Sequence, residues 1–75
     1  MIDKYTVQQW SDFDGYTLNE LYEVYGNDVI AFYAMEGSAV AGCQHSTGTF
    51  DIFGAGLDED DVTYEQMIEA IKNGI

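Results

Sequence analysis

The longest unbroken apolar stretch of the chain, Val29-Ile30-Ala31-Phe32-Tyr33-Ala34-Met35, mixes β-branched and aromatic side chains. A run of this length and composition predicts a strand covered, at least in part, on both faces of a sheet. Glu36-Gly37 then reads as a two-residue turn. Ser38–Gln44 reads as the returning strand, with Ala39, Ala41 and Gly42 small enough for another element to pack closely on it. Ser46-Thr47-Gly48 is a second tight turn in which Gly48 is free to take a positive φ. In Thr49–Phe53, Phe50 and Ile52 fall on one face and Asp51 on the other, as a third strand requires. The pattern predicts an antiparallel meander over residues 29–53, and Gly54-Ala55-Gly56 is expected to end it.

Helical spacing flanks this block. Leu18, Leu21, Tyr22 and Tyr25 recur at i, i+3, i+4 and i+7, behind a Thr17-x-x-Glu20 capping box and ahead of Gly26, which predicts a helix over 17–25. Tyr64, Met67, Ile68 and Ile71 repeat the spacing behind Thr63-x-x-Gln66, and Asn73-Gly74 closes a second helix over 63–73. These faces assign Tyr22, Tyr25 and Tyr64 to the core. Lys4–Trp10 supports two readings: a strand from the Tyr5/Val7 alternation, or a short helix from Thr6-x-x-Gln9 with Val7 and Trp10. Ser11–Gly15 has turn chemistry. The expected fold is therefore α+β, a three- to four-stranded antiparallel sheet with two helices.

Composition narrows the class. Seventy-five residues make one domain, 1–75, near the lower size limit for independent folding. A hydrophobic share of 47% and an aromatic share of 15% exclude a disordered acidic tail. Val29–Met35 is far too short to span a bilayer, and no basic segment precedes an apolar run as in a signal peptide. Cys43 is the only cysteine, so no internal disulfide forms, which suits a reducing compartment. The expectation is a complete cytoplasmic gene product beginning at Met1.

Charge changes the picture most. Fourteen Asp and Glu stand against two Lys and no Arg, a net of −12. A small domain needs a net charge of only roughly 2–8 for solubility. Asp58, Glu59, Asp60, Asp61, Glu65 and Glu69 lie within one short stretch, with no basic residue until Lys72. Carboxylates ahead of a helix stabilise its positive end by roughly 0.3–1 kcal/mol each, and one or two suffice. Glu65 and Glu69 are like charges one turn apart, which costs a few tenths of a kcal/mol. The excess points to function. Carboxylates one helical turn apart are about 5–6 Å from each other, close to the spacing of successive phosphates on a strand. Such an array fits a cationic cleft built for DNA or RNA, with electrostatic steering of the encounter. Asp12, Asp14, Glu20, Glu23, Asp28, Glu36 and Asp51 would extend it. The expected partner is a basic nucleic-acid-binding protein or ribonucleoprotein complex. Direct contact with nucleic acid or an anionic membrane is excluded, because neutralising phosphates takes Lys and Arg.

Other chemistry fits less well. An EF-hand frame from Asp58 matches at Asp60 and Glu69, but Val62 and Thr63 occupy positions that need a ligand and a glycine. A frame from Asp12 matches at Asp14 and fails at Tyr16. Cys43 and His45 share a face of a strand. As a nucleophile pair they lack an orienting acid and an oxyanion motif, and as zinc ligands two are too few. The expectation is a packed Cys beside a surface His. The glycines at 54 and 56 are followed by acid rather than by the Lys a phosphate loop needs. No catalytic residue, metal or cofactor is expected.

An acyl carrier protein would need an Asp-Ser-Leu attachment site and a ferredoxin four Cys, and the chain has neither. In size, acidity and lack of catalytic residues it resembles the small counter-defence proteins of phages and mobile elements, the anti-CRISPR and anti-restriction inhibitors. The resemblance is one of whole-chain character, without a shared motif. It implies stoichiometric inhibition of a bacterial immune effector by occupation of its nucleic-acid-binding surface. Acidic immunity proteins and antitoxins that neutralise basic nucleases share the same features and form the alternative. A small enzyme built on Cys43 and His45 is the third class.

Overall fold

The computed structural model describes residues 1–75. In chain order the elements are β1 (Ile2–Thr6), α1 (Val7–Asp14), α2 (Leu18–Tyr25), β2 (Val29–Met35), β3 (Ala41–His45), β4 (Phe50–Gly54), β5 (Leu57–Val62) and α3 (Tyr64–Asn73). The strands form one sheet in the order β1-β2-β3-β4-β5, with every neighbouring pair antiparallel. β1 and β5 are its two edges.

The sheet is covered on both faces. Met67 and Ile71 of α3 pack on Ala31, Tyr33, Val40, Phe50 and Ile52. Trp10 of α1 and Leu21 of α2 pack on the opposite side with Val29, Phe32 and Cys43. There the Trp10 indole lies parallel to the Phe32 ring, with centroids 4.8 Å apart and planes 3° from coplanar. Burial of each such side chain is worth about 1.5–3 kcal/mol, which is how so short a chain sustains a core. Gly42 is the close-approach point foreseen in the returning strand. A Cβ there would collide with the Met67 side chain and the Asp51 carbonyl oxygen.

All three helices begin in the same way. Thr6, Thr17 and Thr63 each accept from the backbone N–H three residues on, and Gln9, Glu20 and Gln66 each accept from the threonine's own N–H. The reciprocal pair satisfies two backbone donors that a helix start leaves open. α2 and α3 thus match the expected helices at 17–25 and 63–73, with the threonines as N-caps.

The α+β class holds, and the counts change to five strands and three helices. The strand and the helix readings of the N-terminal segment each hold in part: the chain runs as β1 to Thr6, Thr6 then caps α1, and α1 continues through Ser11–Asp14, in place of the expected turn, to stop at Gly15. The larger correction is at 57–62, where a strand replaces the expected acidic approach to a helix. Ala55 and Gly56 both take positive φ, 51° and 81°. Gly54 pairs with Leu57 across them. Positive φ at both central residues is the requirement of a type I′ hairpin turn. Gly54-Ala55-Gly56 therefore reverses the chain back onto the sheet instead of ending it, and ladder hydrogen bonds to β4 outweigh the poor strand propensity of four acidic residues. Tyr64 is also corrected: it is 47% exposed. Its ring leans edge-on against Tyr33 and Phe50 at 6.0 and 5.5 Å, covering the rim of the core and not filling it.

Two bulges adjust the sheet. Between Val29 and Ala31 the register with β3 slips, so Ile30 is the extra residue and is turned out to 49% exposure. Phe50 pairs with Val62 and Ile52 with Glu59, so Asp60 and Asp61 together oppose Asp51. Asp61 takes φ 57°, a conformation that Asp tolerates better than most residues. No helix is long and apolar enough to cross a membrane.

Candidate functional site

β5 presents its acids along a free sheet edge, and strand geometry sends successive side chains to opposite faces. Asp58, Glu59, Asp60, Asp61, Glu65 and Glu69 are all exposed. They do not form the single stripe that the sequence suggests. Glu59 lies opposite Ile52 on the α3 side, where it lines one groove with Glu65 and Glu69. Asp58 and Asp60 border Val24, Tyr25 and Phe53 on the α2 side. Asp61, in the bulge, turns its backbone N–H toward Asp51 Oδ1 at 3.3 Å. The acidic edge is thus a ridge with two flanks, three carboxylates to each.

Charge density is highest on the α2 flank. A cleft of about 440 Å³ opens there, lined by Asp28, His45, Asp51, Asp60 and Asp61 among others. The Asp60 carboxyl is held above its ordinary value, chiefly by the neighbouring charge of Asp51, with slight burial, Asp58 and Asp61 adding to it.

At the floor of this cleft sits the one histidine. It is buried, at 8% exposure, and is not the surface residue expected. Nδ1 lies 2.7 Å from Asp28 Oδ1 and Nε2 lies 2.6 Å from Asp51 Oδ2. In the protonated ring both nitrogens donate to carboxylates. Burial pulls the imidazole pKa down, but the hydrogen bonds to Asp51 and Asp28, with the charges of both, outweigh it and raise the pKa above its ordinary value. Gly26, at the C-terminal end of α2, leaves room for the ring: a Cβ there would stand 3.0 Å from Asp28 Oδ1 and 3.4 Å from His45 Cε1.

Cys43 shares the face of His45, as the strand alternation predicts, with Sγ 4.0 Å from Nε2 and 3.8 Å from Asp51 Oδ2. Its side chain is fully buried, and burial, with the charge of Asp51, pushes the thiol up to about 12. A thiol of that pKa is not an activated nucleophile. The orienting acids missing from the sequence reading do exist, as Asp51 and Asp28, yet they hold the imidazole at both nitrogens and leave it no free lone pair to act as a base.

Asp51 was within reach of sequence reasoning. Counting outward from the Ser46–Gly48 turn pairs His45 with Thr49, Gln44 with Phe50 and Cys43 with Asp51, and the latter two pairs are those observed. Asp28 was not, because its place depends on the Ile30 bulge and on the Asp28 carbonyl accepting from Ser46 N–H at 2.8 Å.

Comparison with known proteins finds no matching family model, no matching curated protein and no matching solved structure.

Proposed function

We propose that the protein is a stoichiometric inhibitor that seats its acidic edge in the cationic channel of a nucleic-acid-handling complex, of the kind used in bacterial immunity, in the place of phosphate charge. The observation that carries this reading is the lack of internal cationic partners for nearly all of the acids. The only ion pairs in the molecule join His45 to Asp28 and Asp51, and neither Lys4 nor Lys72 pairs with any carboxylate. The remaining carboxylates are left for an external cation, and their mutual repulsion is a cost to folding that binding removes.

Protection of the sheet edge against aggregation accounts for part of the charge. The opposite edge shows how little that takes: β1, with the sequence IDKYT, carries one Asp and one Lys. β5 carries four acids of one sign, and α3 continues them with Glu65 and Glu69.

The two flanks also suit a channel better than a flat surface, since a ridge charged on both sides meets two cationic walls. Replacement of Asp60, Asp61, Glu65 and Glu69 together by Asn and Gln tests the proposal. The variant keeps the native circular dichroism and loses inhibition. Undiminished inhibition by the folded variant removes this ridge from the account.

A further inference from the structure

The Cys43–His45–Asp51 cluster has a use that inhibition does not require. We propose that Cys43 Sγ, His45 Nε2 and Asp51 Oδ2 bind a zinc-type divalent ion, with Asp28 as the residue that orients His45.

The three atoms converge from two adjacent strands. All lie within 4.8 Å of one another. A tetrahedral zinc at roughly 2.3 Å from sulfur and roughly 2.0–2.2 Å from nitrogen and oxygen sets such atoms about 3.3–3.6 Å apart. The Sγ–Nε2 and Sγ–Oδ2 separations, 4.0 and 3.8 Å, are close to that. The Nε2–Oδ2 separation of 2.6 Å is shorter because a proton bridges the two atoms. An ion replaces that proton and parts them by under about 1 Å. The step balances: one Zn²⁺ enters, one proton leaves the Cys43 thiol and one leaves His45 Nε2, and Nδ1–H stays on Asp28.

Three features distinguish this cluster from an ordinary polar contact. The donor set of thiolate, imidazole and carboxylate is one that zinc favours over the hard cations, which take oxygen alone. The second ring nitrogen donates to a carboxylate at 2.7 Å, the arrangement that fixes the tautomer of metal-bound histidines. His45 and Asp51 border the open cleft, so an ion has a path in and the fourth corner faces the cleft, where water or the Asp60 carboxylate completes it. The hairpin register that sets Cys43 opposite Asp51 makes the site a property of the fold.

The test uses the full chain, stripped with a chelator and titrated with zinc chloride by calorimetry and with cobalt(II) by absorption. The expected result is one ion per chain, release of protons to the buffer, and a thiolate-to-cobalt charge-transfer band. Cys43→Ser abolishes the band, His45→Gln weakens zinc binding by about tenfold or more, Asp28→Asn weakens it by about tenfold, and Glu36→Gln leaves it unchanged. The spectrum of the unmutated chain needs no variant to fold. Absence of saturable binding overturns the site. So does cobalt bound without a thiolate band, which would assign the metal to surface carboxylates. The readout is independent of any inhibitory target.

Discussion

Asp51 Oδ2 accepts from His45 Nε2 at 2.6 Å while its other oxygen accepts from the backbone of Asp61. One half-buried carboxylate thereby fastens the acidic edge strand to the only imidazole in the chain. The bulge in β5 and the histidine at the floor of the cleft are parts of one arrangement, and the acidic edge is held by the core and not merely hung from it.

Removal of the imidazole exposes what it holds together. His45→Gln loses two charge-assisted bonds and leaves Asp28 and Asp51 facing each other, and is expected to cost about 1–3 kcal/mol in urea denaturation with chelator present. The loss depends on pH. The folded pKa of His45 lies above its unfolded value near 6.5, so its stabilisation is complete below about pH 6.5 and fades as pH rises through the folded pKa. The difference between parent and variant narrows over that range. A difference that widens as pH rises would mean that the neutral ring is the stabilising form.

Cys43 should resist thiol reagents. Full burial and a pKa of about 12 leave almost no accessible thiolate at neutral pH. Alkylation by iodoacetamide is expected to follow the rate of unfolding and to become rapid in denaturant. Rapid labelling of the native chain would restore the nucleophile reading.

Gly42→Ala tests the layer between β3 and α3. The added methyl meets the Met67 side chain and the Asp51 carbonyl oxygen, and overpacking of this kind costs about 1–3 kcal/mol. The thermal midpoint falls, and Met67→Ala costs less in the Gly42→Ala chain than in the parent, because the added methyl takes up part of the cavity that the truncation leaves. An unshifted midpoint would show that α3 does not press on the sheet at this point.

The sequence announced its helices more clearly than its strands, for a physical reason. Each helix start is a local device of four residues, Thr-x-x-Gln or Thr-x-x-Glu; two of them predict their helices outright, and Thr6-x-x-Gln9 stands beside a strand reading of the same residues. β5 is not legible, because its residues disfavour a strand and are held in one by hydrogen bonds to β4 and by the turn at Ala55-Gly56. The same gap hid the shape of the acidic site. Read as an approach to a helix, Asp58–Asp61 continue the acids of α3 in one stripe; held in a strand, they divide between its two faces. The environment of His45 depended on register. Asp51 follows from counting out of one turn, whereas Asp28 requires the unforeseen bulge at Ile30.

The central claim is that the acidic ridge takes the place of phosphates in a cationic channel. The most direct measurement captures partners from a bacterial lysate on the immobilised protein, then elutes with rising salt or with competing duplex nucleic acid. Nucleic-acid-binding proteins that salt and duplex both release are expected, and the Asp60→Asn, Asp61→Asn, Glu65→Gln, Glu69→Gln variant fails to retain them. Partners that survive both eluants and bind this variant as well as the parent would contradict it.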